Sequence, residues 1–507
     1  MKKHFFFCLT ALSVFLLVTS CSDDVDDRIP KRRPDQNNNQ TTGQEILITP
    51  LTDSASEDLG GRQTGANPND LLSNHTFDRQ VTISFSEGNV QVEGAEGITV
   101  QKQQAHLSLS CSLPNVEYIL SGSATNGSFT INSTHPYKLT LSNLTLTNEN
   151  TVLKLESNSK AFVNIPEGTS SSLTNHIVYS DDPNAAVCYS SGNFVLNGRG
   201  NLSLLGEHTS GIVCQGSLRV ALDVQAVLKV KAKKDGIRTK AAYIGDSGTI
   251  NVDTQELNGE GNTIAVTNGY LIINGGDYSL KAKSNALMTS PTSRDTDPYI
   301  TINGGTFSIS AWAKGITTPS TLTLSNAEIN LNSIDTAIEG NKGVYINKGT
   351  YILESTSGNT LSSEQLASFS AGRTFLRCKD TSTPISVPAS GTFDIKGGTL
   401  IALGGRPQQG ATLSEGSQPS FIFFSNFQAN TLLHLREAER EVFTYLNTFD
   451  SSYLLFTSSK LIPDKKYDFY KGGTLRDALE SHNLYYGGYY KAGNHLTYFT
   501  ANKTINP

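Results

Sequence analysis

At 507 residues the chain is long enough for a large core and for more than one domain. Only 17% of it is charged, the net charge is −6, and Lys and Arg do not concentrate in any one segment, so nucleic-acid binding gets no support. Gly, Ser, Thr and Asn separate short aliphatic runs, which is unlike a helical protein rich in Ala, Glu, Lys and Leu.

The first twenty residues read as a signal. "MKKH" is a positive n-region and "FFFCLTALSVFLLV" an apolar h-region, short for a membrane span. "VTSC" then resembles the bacterial lipobox, which would leave Cys21 as a lipidated N-terminus; the other reading is a plain secretory signal. "SDDVDD", Ser22 to Asp27, resembles the surface-export signal of lipoproteins in Bacteroidetes-type bacteria, or else is a solvated linker. The expectation is an outer-membrane, cell-surface protein that meets the membrane through its lipid alone. Residues 21–75 carry few apolar side chains, too few to offset chain entropy, and are expected to form a flexible tether.

After an N-terminal β segment over 76–135, the text from 136 to 410 repeats. "INGGDYSLK" at Ile273 returns as "INGGTFSIS" at Ile302, "INKGTYILE" at Ile346 and "IKGGTLIAL" at Ile395. Phrases starting at 303, 325 and 347 are 22 residues apart. A second phrase, a small residue before an aliphatic, recurs as Ala186-Val187, Gly211-Ile212, Gly236-Ile237, Thr263-Ile264, Ala286-Leu287, Gly315-Ile316 and Ala337-Ile338. Period-two alternation between Gly and Asn punctuation marks strands, and a period this short marks a solenoid. The fold class is therefore all-β: a right-handed parallel β-helix, three strands per coil and about 22 residues per coil. Residues 411–507 form a C-terminal β module or cap.

Parallel pairing in register stacks like on like. Tyr278, Phe307, Ile329 and Tyr351 are expected to point inward as one ladder. Aligning Val187 with Ile212 places Cys188 opposite Val213 and Cys214 opposite Tyr189. Those two cysteines then face opposite ways and do not bond to each other. No pair among Cys111, Cys188, Cys214 and Cys378 has zinc-like spacing.

"EYILSGSATNGSFTI" from Glu117, "KKDGIRTKAAYI" from Lys233, "GTFDIKGGTLIALGG" from Gly391 and "YLLFTSSKLIPDKKYDFYKGG" from Tyr453 resemble, in that order, the carbohydrate-binding, pectate-lyase-like β-helix family. The resemblance spans about Thr76 to Gly473. It implies carbohydrate binding, and calcium held by aspartates in the Asp-Gly-Ile column. Here that column reads Ala185, Ser210, Asp235, Asn262, Asn285, Lys314 and Thr336, and only Asp235 keeps the carboxylate. Calcium wants six to eight oxygens. Asp235, Asn262 and Asn285 would supply some of them, or would close the turns as a hydrogen-bonded ladder. Asp295 and Asp297, on an inserted loop, are a second calcium candidate or a solvated turn.

Lys233, Lys234, Arg238 and Lys240 share one coil. They would attract uronate carboxylates, supply the base of a lyase, or simply be a solvated face. The carboxylates a hydrolase needs, Asp223, Asp253, Glu328, Asp335 and Glu339, are scattered, and no catalytic residue is assigned. Trp312 is a sugar-stacking platform or a turn staple. The Tyr-rich stretch Asn483 to Phe499 is a second platform or a cap over the open end of the helix. The reading favoured by resemblance is a monomeric, non-catalytic surface lipoprotein that binds polysaccharide. A polysaccharide lyase and a surface adhesin or structural protein without a glycan ligand are the alternatives.

Overall fold

The structure, a computed structural model, describes residues 45–51, 59–61, 63–157, 159–177, 181–291, 296–407, 410–501 and 505–506. The signal segment, Cys21, the acidic run after it, and Asp295 lie outside the described residues.

The repeated phrases become coils. One coil runs through the strands Tyr270–Ile273, Asp277–Ala282 and Leu287–Thr289. Each strand pairs in parallel with its counterparts one coil before and after. The result is a β-solenoid of about 12 turns with three parallel sheets, here called first, second and third in chain order within the coil. A coil takes 22 residues from Ile316 to Ile338 and 29 from Leu287 to Ile316, where the loop after Thr289 is inserted.

Side-chain ladders fill the interior. In the third sheet Ile212, Ile237, Ile264, Leu287, Ile316, Ile338 and Leu361 stand one above another, all buried. In the second, Tyr278, Phe307, Ile329 and Tyr351 stack as expected, with the Tyr278 and Phe307 rings 4.9 Å apart and nearly parallel. A fully buried aliphatic side chain contributes roughly 1.5–3 kcal/mol, so the ladders dominate the stability of each coil. The Gly-Gly phrase serves the corner before the second sheet. Gly276 and Gly305 have φ of +98° and +101°, and a Cβ on Gly305 would lie 2.7 Å from the Gly276 carbonyl oxygen.

The expected register fails by one residue at the first small-aliphatic phrase. Cys188, not Val187, pairs with Ile212, and Ser190 pairs with Cys214. Ala185 and Ala186 both fit the tight corner, and Cys packs inward as readily as Val, so the local text does not choose between the two alignments. Cys188 and Cys214 are thus both buried free thiols on the same face, two positions apart along neighbouring strands. They are unbonded, but not because they face apart.

The tether expected over 21–75 is also corrected where it is described. Glu45–Leu47 is a strand paired antiparallel with Tyr489–Lys491, and Ile46 and Ile48 are buried. Lys460 Nζ reaches both the Thr49 carbonyl (2.9 Å) and the buried Glu441 carboxylate (3.1 Å). Residues 59–61 and 63–75 then lie along the first sheet, crossing coil after coil in the reverse of chain order. Leu59 exchanges two bonds with the Asn347 side chain. Asn303 Nδ2 donates to the Gln63 carbonyl (2.7 Å), Asn274 Nδ2 to that of Thr64 (2.9 Å) and Arg219 to that of Gly65 (2.8 Å). Asp70 pairs with Lys160 and Arg219. The segment has few apolar side chains because its main chain, not its side chains, makes most of these contacts.

The C-terminal module covers more than an end. Its strand Ser451–Thr457 pairs antiparallel with the last second-sheet strand, Thr399–Gly404, and so closes that edge. Its aromatic core, with Phe421, Phe443, Phe456 and Phe469, also packs on Ile352, Phe375 and Ile401 from the flank of the second sheet. Of the Tyr-rich stretch, Tyr490 is buried against His434 while Tyr498 is exposed.

Candidate functional site

The basic coil is drawn apart by its own strand. Lys233 and Lys234 precede Ile237–Thr239 and Lys240 follows it. Arg238, on the outer face of that strand, is engaged: its Nε lies 3.3 Å from Asp235 Oδ2, and its Nη2 donates to the Pro183 carbonyl. Lys233 Nζ sits 3.5 Å from His208 Nδ1.

The calcium candidates do stack, as one hydrogen-bonded ladder. Asp235 Oδ1 accepts from the backbone and side-chain nitrogens of Asn262, both at 2.9 Å. Asn262 Oδ1 accepts likewise from Asn285, both at 3.1 Å, and Asn285 Oδ1 accepts from the Lys314 amide (3.0 Å). With Arg238 on Oδ2, both Asp235 oxygens are occupied within the protein. Asp297 is paired with Lys342 at 2.8 Å, and the hydrogen bond from Lys342 holds its carboxyl below the usual range.

The Asn-rich face of the first sheet is the one on which residues 59–61 and 63–75 lie. A hollow of about 290 Å³ remains beneath that segment, and its charged groups, Asp70, Lys160 and Arg219, pair with one another and with Asp246.

The corner between the second and third sheets is built differently. Trp312 extends from the end of strand Thr306–Ala311 and is 51% exposed. The Lys283 ammonium, one coil earlier, lies 3.0 Å from the ring centroid, a cation–π contact that fixes the indole. Ile334, one coil later, is also exposed. Beyond it the corner opens into a groove of about 510 Å³. The turns of three successive coils line it, with Asp335, Asn359 and Asp380, and the segment around Gly405 and Arg406 forms the far wall. Backbone bonds from Asp335 to Ala313 and from Ser357 to Ile334 join the groove directly to the Trp312 step. Asn359 Oδ1 is fixed by the Thr383 amide (3.1 Å) and hydroxyl (2.8 Å), and Asp335 Oδ1 by the Thr336 amide (2.7 Å). Arg406 lies over the half-exposed Phe424 ring at 4.2 Å.

Sequence reasoning reached Trp312 but not the groove. In the sequence Asp335 stands only among the scattered carboxylates, and Asn359 and Asp380 belong to no motif singled out there. Their alignment along the corner is legible only from the coil spacing, and the Arg406 wall comes from a later loop.

A family model described as "Carbohydrate-binding domain-containing protein" matches residues 112–355 and 256–407, together more than half of the chain. No curated protein matches. Among solved structures, the polysaccharide lyase-like protein from C. thermocellum, in its gadolinium derivative, is similar at 18% identity and a TM-score of 0.34, over 57% of this chain and 96% of that one.

Proposed function

The chain belongs to the family of carbohydrate-binding domain-containing proteins, and on that premise we propose that it is a non-catalytic, monomeric polysaccharide binder held at the bacterial outer surface by lipid on Cys21. The observation that carries the reading is the half-exposed Trp312, fixed by Lys283 and one coil from a polar groove that begins at Asp335. An indole offers sugar rings an apolar face, and the groove offers donors and acceptors. The absence of cleavage is supported by how the carboxylates are employed. Asp223 pairs with Arg199, Asp253 with Lys281 and Glu339 with Lys314, while Asp335, which lines the groove, has Oδ1 held by the Thr336 amide and hydroxyl. Arg238, the residue a lyase reading would use as base, is bound to Asp235 and the Pro183 carbonyl.

A glycan array with and without calcium tests this function. Binding to at least one polysaccharide class is expected, and failure to bind any would reject it. Incubation with pectate and calcium is expected to produce no absorbance from unsaturated uronate ends. That absorbance, lost on Arg238→Ala, would make the protein a lyase. Lipid labelling that persists in Cys21→Ala would reject the anchor.

A further inference from the structure

We infer that the groove running from Trp312 to Arg406 along the corner of the second and third sheets is the polysaccharide site, and that it takes an uncharged chain. This rests on the carbohydrate-binding reading and adds to it a place and a ligand class.

The place follows from geometry. Neighbouring coils are about 4.8 Å apart, so the three turns carrying Asp335, Asn359 and Asp380 span roughly 10 Å. That gives an extended groove along the solenoid axis, suited to a chain. The exposed apolar surface at this corner is concentrated at its ends, Trp312 with Ile334 at one and Phe424 beneath Arg406 at the other. Between them the lining is mostly hydroxyl, amide and carboxylate, with Ile385 and Val387 among them. An apolar step leading into a polar trough matches a pyranose chain, whose rings present C–H faces and whose edges present hydroxyls.

The ligand class follows from charge. Two carboxylates, Asp335 and Asp380, belong to the lining, and the cations at its two ends, Lys283 and Arg406, each lie over a ring, that of Trp312 and that of Phe424. A uronate carboxylate entering here meets like charge. A carboxylate can instead accept two hydrogen bonds from adjacent sugar hydroxyls, and such charge-assisted bonds are the stronger kind. Lys233, Lys234 and Lys240, which would suit an acidic chain, belong to an earlier coil, three coils before that of Trp312.

Affinity electrophoresis of the full chain in gels containing xylan, mannan, mixed-linkage β-glucan or polygalacturonate tests the inference. Retardation by at least one neutral polysaccharide is expected, unchanged by added salt. Trp312→Ala and the Asp335→Asn, Asp380→Asn pair should each weaken it tenfold or more, while Trp312→Phe restores most of it. Equal thermal melting of the variants shows that folding is intact. Neutral binding that survives both sets of changes would overturn the site and leave the carbohydrate-binding reading standing. Binding confined to polygalacturonate, abolished by salt and by Lys234→Ala, Arg238→Ala, would overturn both site and ligand class. No retardation in any gel would overturn the carbohydrate-binding reading itself.

Discussion

His434 shows how a single buried side chain couples this fold to pH. It lies in strand Thr431–Glu437 of the C-terminal module, with Nδ1 2.8 Å from Thr444 Oγ1 and its ring stacked 3.8 Å from that of Tyr490. Burial, and then the Arg436 charge nearby, push its pKa down to about 3. The unfolded chain would titrate at about 6.5 and so binds the proton more tightly than the folded one. The contribution of neutral His434 to stability is therefore complete above about pH 6.5 and is lost as pH falls toward 3, at up to ~1.4 kcal/mol per pH unit. The melting temperature of the wild type is expected to drop over that interval, and His434→Gln should flatten that part of the profile. A variant profile parallel to the wild type would show that other groups govern acid unfolding. None of this is legible in the sequence, where His434 is one of nine histidines with no marked neighbourhood.

At the scale of elements, the ladders were readable and the contacts between distant segments were not. Strand alternation and the recurring aliphatic positions gave the inward columns because period-two patterning states which face each residue takes. The corner at Ala185-Ala186-Val187 misled by one position because two small residues fit where one is needed. Residues 59–61 and 63–75 were unreadable for another reason: Asn274, Asn303 and Asn347 receive their main chain, and main-chain contacts leave no hydrophobic pattern. The Asp235–Asn262–Asn285 ladder makes a prediction of its own. Its oxygens already accept hydrogen bonds, so millimolar calcium is expected to leave the melting temperature unchanged. Asn262→Leu removes acceptor and donor together and should cost about 1–3 kcal/mol in denaturant unfolding. A calcium-induced rise in melting temperature that disappears in Asp235→Asn would instead make the ladder a cation site.

For the whole molecule, a solenoid closed by an antiparallel module and crossed by its own N-terminal segment leaves different faces for different tasks. The first sheet carries residues 59–61 and 63–75, and the flank of the second packs on the C-terminal module in the last coils. The corner next to Trp312 carries a groove of about 510 Å³, the place proposed above for the carbohydrate. Hydrogen–deuterium exchange on the full chain, with and without the polysaccharide selected by the array, tests this most directly. Slowed exchange is expected at Trp312, Asp335–Thr336, Ser357–Asn359 and Asp380–Thr383, with the basic coil around Arg238 unchanged. Protection at Lys233–Lys240 or along residues 59–75, with the corner unaffected, would contradict the account.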